Sequence, residues 1–217
     1  MPTQDLGDSL AMPDSVREIH VLLWDRVMWL RYTYREYSAL FGSGPETVEL
    51  LNALAPTFFD VVQQSLAQEM ILAICRLLDP AESGKYENLS MHQLLAALRD
   101  DGSANALVAD IQHRCDELEA QSQPLRAKRD QLFAHMDLPH FAGRPDARPL
   151  DPTSIELLGS AISKLQDVID TTGRFFHEDA TSWDELQPRG GAADLLVHLR
   201  NARGVRDQET RDRIQSG

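Results

Sequence analysis

The sequence predicts an all-α protein, built as an irregular bundle of about six or seven helices. Apolar residues recur at steps of three and four through most of the 217-residue chain, which is the period of a helix that buries one face. Glycine and proline separate these stretches, as at Gly42–Pro45 and Asp79–Pro80. No segment shows the two-residue alternation of a half-buried β-strand. These patterns indicate helices joined by loops.

Three helices are predicted in the first part of the chain. They run from Asp14 or Ser15 to about Phe41, from Glu46 to Leu54, and from near Thr57 to about Leu78. Ser15 and Glu18 have the spacing of a capping box that would begin the first helix. Pro56 ends the second, and Asp79–Pro80 ends the third.

Four more helices are predicted after a loop over residues 81–89. They begin at Ser90, at about Ala104, at Thr153 and at Ala192, and they end near Asp100, Met136, Phe176 and Ala202. Ser90 and Gln93 form a capping box, and Thr153 with Glu156 forms another. We expect the long helix that ends at Met136 to break near Pro124, which has no backbone N–H to donate. Asp137–Pro152 is predicted to be a proline-rich loop.

The domain organisation follows from these elements. Residues 1–13 are predicted to be disordered and residues 14–176 to form one helical domain. Residues 177–217 are predicted to hold an irregular loop, a short C-terminal helix and a charged tail.

Composition limits the classes of function. The net charge of −13 argues against a protein that coats nucleic acid generally. We expect no membrane span, because no run of about 18 apolar residues is present, and no secretory signal at the N-terminus. Cys75 and Cys115 both fall in helical apolar patterns, so we expect small buried side chains in a reducing compartment. The cytoplasm is the expected location.

The best candidate for a functional site is the stretch Lys128–Asp137. It contains the chain's one Arg that is followed five to seven residues later by a His, the pair Arg129 and His135. Arg supplies a permanent cation whose planar donors match phosphate oxygens, and His transfers a proton near neutral pH. Arg126 and Lys128 place further positive charge beside the pair, and we predict that both bind phosphate.

Arg129 also falls on an apolar helical stripe. The stripe consists of Ile111, Cys115, Leu118, Ser122, Leu125, Arg129, Leu132 and Met136. A buried Arg is costly unless it is paired or used. Arg129 is therefore either a functional cation or a structural Arg that bonds a nearby carboxylate or the carbonyls of a helix end.

The reaction that suits an Arg–His pair is RNA cleavage. In an unbroken α-helix, six residues place two side chains about 120° apart, so Arg129 and His135 would not face one point. A distorted helix end, or a second copy of the motif across a two-fold axis, would bring them together. One His would then take the proton of a 2′-hydroxyl, a second would protonate the leaving 5′-oxygen, and Arg would stabilise charge at phosphorus.

Other chemistries have weaker signals. Asp110 and His113, with Asp116 and Glu117 nearby, lack the matching carboxylate–His pair that a metal site in a bundle uses. Two cysteines exclude the common zinc-finger spacings, and Gly42–Gly44 lacks the residues of a phosphate-binding loop. We therefore expect neither a metal nor a cofactor.

The chain resembles the HEPN superfamily, and within it the domains related to AbiU-type abortive-infection proteins. The superfamily's signature is an Arg, usually followed by a polar residue, then four to six residues to a His. Residues 129–135 fit this signature, and Met136–Asp137 continue the pattern of this branch. The segments Trp29–Phe41, Arg76–Pro80 and Glu87–Ser90 are also similar, and the likeness covers roughly residues 20–200.

This resemblance implies an all-α HEPN bundle, commonly dimeric, in which Arg129, Asp130 and His135 are the candidate ribonuclease residues. It also implies RNA as a substrate, and a role in phage defence or in a toxin–antitoxin pair with a partner protein. Asp130 departs from the commoner Asn, and its charge would oppose phosphate or neutralise Arg129. Two hypotheses follow: a metal-independent HEPN-type endoribonuclease, or a non-catalytic HEPN-like module that binds nucleotides or proteins.

Overall fold

The computed structural model describes residues 11–103, 105–134, 137–144, 150, 153–179, 181–186 and 190–215. Over these residues the protein is an all-α bundle, as predicted, with nine α-helices and one π-helical turn. The helices are α1 (Asp14–Phe41), α2 (Pro45–Leu54), α3 (Pro56–Leu77), α4 (Met91–Asp100), α5 (Asn105–Gln121), α6 (Gln123–Lys128), α7 (Leu138–Phe141), α8 (Ile155–Phe175) and α9 (Ala192–Gln215), and the π-helical turn, π1, spans Arg129–Ala134.

The predicted break in the long helix is confirmed. The helix stops after Gln121 and resumes at Gln123, with Pro124 in the first turn of α6. The proline needs no hydrogen-bond donor there, because the first N–H groups of a helix have no partner within it. The segment then widens into π1. One predicted helix thus becomes α5, α6 and π1, and this break together with α7 makes the helices outnumber the six or seven predicted.

Two segments predicted as loops contain short regular structure. Glu82–Ser83 (β1) pairs antiparallel with Tyr86–Glu87 (β2), so the expectation of no strand was wrong for this small hairpin. Its strands are too short to show a two-residue alternation in the sequence. Helix α7 lies in the proline-rich loop, where Pro139 occupies its first turn.

Some predicted helix ends were also wrong. Ser15 lies inside α1, whose first turn closes on the carbonyl of Pro13. Ser154 caps α8 by accepting a hydrogen bond from the backbone N–H of Leu157 at 3.1 Å, so Thr153 is not the cap. The cap by Ser90 is confirmed, since its side chain accepts from the N–H of Gln93.

Helix α9 is longer than predicted and extends to Gln215, so the expected charged tail is helical over its described residues. Of this helix, Ala192 and Leu196 are buried, and the residues described beyond Arg200 are exposed. Residues 1–10 lie outside the described part of the chain, where most of the predicted disorder falls, while Met12 is buried. The predicted boundary between residues 176 and 177 stays a prediction.

The chain divides into two compact units. The first contains the described residues of Met1–Arg31 and Met70–Trp183. In it α5 packs against both α4 and α8. Its core is made of fully buried aliphatic side chains from these helices and from α1 and α3: Leu23, Leu30, Met70, Ile74, Leu94, Leu98, Ile111, Leu118, Ile162 and Leu165. Both cysteines are buried and free, as predicted. This unit contains the candidate site.

The second unit contains the described residues of Tyr32–Glu69 and Asp184–Gly217, and in it α2 packs on α9. Its core is a separate cluster formed by Leu40, Leu50, Leu51, Phe59, Ala192 and Leu196. Among the described helices of the whole chain, none combines the length and apolar character that crossing a bilayer requires.

Candidate functional site

The described residues 128–134 of the predicted motif lie on α6 and π1, beside the end of α3. The apolar stripe leads to this place as expected, because Ile111, Cys115, Leu118, Ser122 and Leu125 are all completely buried. Arg129 comes next on the stripe, and 26% of its side chain is exposed. The stripe therefore carries Arg129 to the edge of the core, where its guanidinium reaches solvent.

Two carboxylates hold Arg129. Its Nε donates to Asp130 Oδ1 at 2.8 Å, and its Nη1 donates to Asp79 Oδ1 at 3.3 Å. The hydrogen bond to Asp130 raises the pKa of Arg129 further above its usual range, so the guanidinium stays charged. Arg129 thus bonds nearby carboxylates, which is the contact that the structural interpretation of this residue predicts.

Arg126 is fixed by a different set of groups. Its Nη2 donates to the backbone carbonyl of Leu78 at 2.7 Å and to Glu119 Oε1 at 3.1 Å. The same Glu119 oxygen lies 2.8 Å from His92 Nε2. Since a carboxylate oxygen accepts, the His92 ring donates through Nε2–H. The predicted phosphate-binding residue Arg126 is therefore already engaged with groups from two other segments, and through Glu119 it is linked to a third.

Lys128 differs from both arginines because no carboxylate of the described residues lies within 4.0 Å of its ammonium group. Its Nζ donates to Thr153 Oγ1 at 2.7 Å. Partial burial lowers the pKa of Lys128, as expected for a cation moved out of water without a counter-ion. An approaching anion therefore stabilises such a group.

The pKa of Cys75 is affected by burial and by the charged groups of the site. Burial raises the pKa of this thiol to about 11, against the opposite effects of Arg129 and Arg126. Asp79 and Asp130 also act on the thiol and raise its pKa. Both guanidinium groups and both carboxylates therefore act electrostatically on the same thiol, near the end of α3.

The charges of this cluster balance. Arg126, Lys128 and Arg129 supply three positive charges, and the carboxylates that bond the two arginines supply three negative charges, from Asp79, Glu119 and Asp130. The resting site is therefore close to neutral.

The π-helical turn adds a polar group without partners. The side-chain amide of Gln131 is buried, and neither its Nε2 nor its Oε1 has a hydrogen-bond partner in the described structure. A buried amide left unpaired is unusual in native proteins. The turn ends where the backbone N–H of Asp137 donates to the carbonyl of Gln131 at 2.7 Å. π-helical turns occur frequently at functional sites.

His135 lies outside the described residues, so its distance from Arg129 is not part of the observed geometry. Its role and those of Arg129 and Asp130 stay predictions. Among the described residues, no three His, Cys, Asp or Glu side chains form a group that could hold a metal ion.

Sequence reasoning missed three side chains of the site. Asp79 was seen only as the end of α3, although its segment, Arg76–Pro80, was one of those that carried the resemblance. Glu119 and His92 had no local signal, because Glu119 meets Arg126, and His92 meets Glu119, only through tertiary packing of α4, α5 and α6.

An all-α bundle is the architecture that the resemblance to HEPN domains implies. A sequence profile of the AbiU2 family (HEPN_AbiU2) matches residues 13–195. The chain therefore belongs to the AbiU2 family of HEPN domains. A search of curated proteins found no match, and neither did a search of solved structures.

Proposed function

We propose that this protein is a metal-independent endoribonuclease of the HEPN type, with Arg129, Asp130 and His135 as its catalytic residues. His135 removes the proton of a ribose 2′-hydroxyl, whose oxygen then attacks the adjacent phosphorus. The bond from phosphorus to the 5′-oxygen breaks, and a second His returns a proton to that oxygen. Arg129 stabilises the charge that develops on the phosphoryl oxygens.

The observation that carries this proposal is the group of three cations beside the end of α3. In a chain of net charge −13, Arg126 bonds the carbonyl of Leu78 and Arg129 bonds the adjacent Asp79, so both guanidinium groups lie at the end of α3, and Lys128 lies between them in sequence. Lys128 has no carboxylate near it in the described structure and is partly buried. A phosphate is the RNA group that would pair with the Lys128 ammonium.

The second His of the mechanism comes from a second copy of the chain. An isologous homodimer brings two Arg–His motifs into one cleft, so each phosphate meets one His on either side. The unpaired amide of Gln131 supports this arrangement, because substrate or a second protomer would satisfy it. We place the dimer in the cytoplasm, acting on RNA in phage defence or beside an antitoxin.

One observation favours a different function. Arg129 is bonded to both Asp130 and Asp79, and it would have to exchange at least one of these contacts for phosphate. A non-catalytic HEPN-like module that binds nucleotides or a protein would keep both ion pairs as structural bonds. This alternative predicts no RNA turnover.

Expression in bacteria tests the proposal. We would compare growth and RNA integrity for the wild type, His135→Ala and His113→Ala, the last being a control at an exposed His of α5. The proposal predicts growth arrest and cleaved RNA with the wild type and the control, and neither with His135→Ala. The purified wild type should cleave RNA equally well in EDTA. Intact RNA in all three cultures and with the purified protein would favour the non-catalytic alternative.

A further inference from the structure

The hydrogen bonds around Arg126 fix its guanidinium more completely than a helix cap requires. A single bond from Nη2 already satisfies the carbonyl of Leu78, which directly follows α3. The bond to Glu119 uses the second N–H of the same nitrogen, and His92 then holds Glu119 from α4. Three helices and the end of a fourth therefore determine the plane of this one guanidinium.

The free end of Arg126 is the end that a ligand would meet. Both N–H groups of Nη2 are used, and Nη1 has no hydrogen-bond partner among the described residues. The Nε of Arg126 is buried and also unpaired in that part of the chain. Arg126 bonds Leu78 and Arg129 bonds the adjacent Asp79, so the two guanidinium groups lie at the same end of α3. Because Nε is buried, Nη1 is the unused donor group that Arg126 keeps for a ligand there.

His92 also limits how strongly Glu119 masks this cation. Glu119 Oε1 is shared between two donors, at 2.8 Å from His92 Nε2 and 3.1 Å from Arg126 Nη2. If the His92 donor is removed, the whole carboxylate charge becomes available to Arg126. The guanidinium then loses part of its orientation and part of its attraction for an anion.

We propose that His92 and Glu119 are positioning residues that aim the guanidinium of Arg126 at a phosphate of the RNA backbone. This inference rests on the proposed function, since it names a phosphate subsite next to Arg129. His92 and Glu119 contact neither the substrate nor the reacting atoms. They act through Arg126. The subsite recognises the phosphate of a nucleotide and not its base.

A double-mutant cycle separates positioning from a purely structural role. The full chain is titrated with a 2′-O-methyl RNA oligonucleotide, which lacks the attacking hydroxyl and stays intact, at several salt concentrations. Arg126→Ala should weaken binding and lower the salt slope by about 0.7, the loss of one phosphate contact on a single strand. His92→Leu should weaken binding about three- to tenfold, as expected within one hydrogen-bond network.

Two further variants make the result specific. His92→Gln keeps a donor for Glu119 and should bind within about twofold of the wild type. In the Arg126→Ala background, His92→Leu should cause no further loss. Glu119→Ala breaks the link between His92 and Arg126 at Glu119. In the Arg126→Ala background, Glu119→Ala should also cause no further loss of binding, and this second cycle keeps the test available if His92→Leu does not fold.

Three results would overturn the inference. An equal loss from His92→Leu with and without Arg126 would assign His92 a structural role. Unchanged binding in both His92→Leu and Glu119→Ala would show that neither residue contributes to RNA binding. In these two cases the wild type still binds and the proposed function stands. If the wild type itself does not bind the oligonucleotide, the proposed function fails and the phosphate subsite fails with it.

Discussion

Replacing Asp130 by Asn tests whether the ion pair on Arg129 restrains RNA binding. Asp130 Oδ1 lies 2.8 Å from Arg129 Nε, and 53% of the Asp130 side chain is exposed. The substitution keeps the shape and an oxygen that can accept the hydrogen bond, but it removes the negative charge. Asp79 still contacts Arg129 at 3.3 Å, so the guanidinium should stay in place.

Coulomb's law sets the size of the effect. A carboxylate about 4 Å from a phosphate charge costs about 1 kcal/mol in water and about 4 kcal/mol at an effective dielectric constant near 20. Because Asp130 is more than half exposed, the lower figure applies, and 1 kcal/mol corresponds to about a fivefold change in affinity. The free energy of unfolding should fall by less than about 1 kcal/mol, since an exposed ion pair contributes little.

The assay is the anisotropy of a labelled single-stranded RNA, measured at low and at moderate salt. Asp110→Asn is the matched control, because Asp110 also pairs with an Arg at 3.1 Å and has a similar exposure of 42%, but it lies on α5 outside the motif. We expect about fivefold tighter binding for Asp130→Asn and little change for the control. Equal gains in both variants would show a general charge effect, and no gain in either would refute the reasoning.

Two further predictions concern the rest of the fold. At pH 8 neither Cys75 nor Cys115 should react with a thiol reagent in the folded protein, because burial raises their pKa values to about 11 and about 12. In urea two thiols per chain should react. Rapid labelling of the native protein would contradict this prediction. Ser154→Ala should lower the free energy of unfolding by about 1 kcal/mol through loss of the α8 cap, as measured by denaturant titration. The control Ser65→Ala, at an exposed position of α3, should change the free energy of unfolding little. Equal values for both variants would show that the cap contributes nothing.

The sequence was sufficient where the signal is local. The apolar stripes of α1 and α3, the cap at Ser90 and the break at Pro124 each depend on residues within a few positions of one another. The cap of α8 was misassigned by one residue, because Thr153 and Ser154 are adjacent and both are suitable caps. Helix α9 continues past Ala202 without an apolar stripe, since its Arg, Gln and Glu residues favour helix without burial.

The candidate site required the tertiary structure. The sequence located Arg126, Lys128 and Arg129, but not the groups that they contact. Asp79 is 50 residues from Arg129, and no periodic pattern links two positions so far apart. The same holds for His92 and Glu119, which are 27 residues apart on different helices. Charge compensation at this site is therefore a property of packing, and composition alone does not reveal it.

The π-helical turn has a consequence for how the chain tolerates changes in length. Deleting one residue from an α-helix rotates everything beyond it by about 100°. A π-helical turn is a helix that has already absorbed an extra residue, so a deletion within Arg129–Ala134 can restore α-helical geometry without turning α6. The interval that follows Arg129 can thus lose a residue while α6 keeps its register. The HEPN signature, with its variable distance from Arg to His, contains such an interval at the same place.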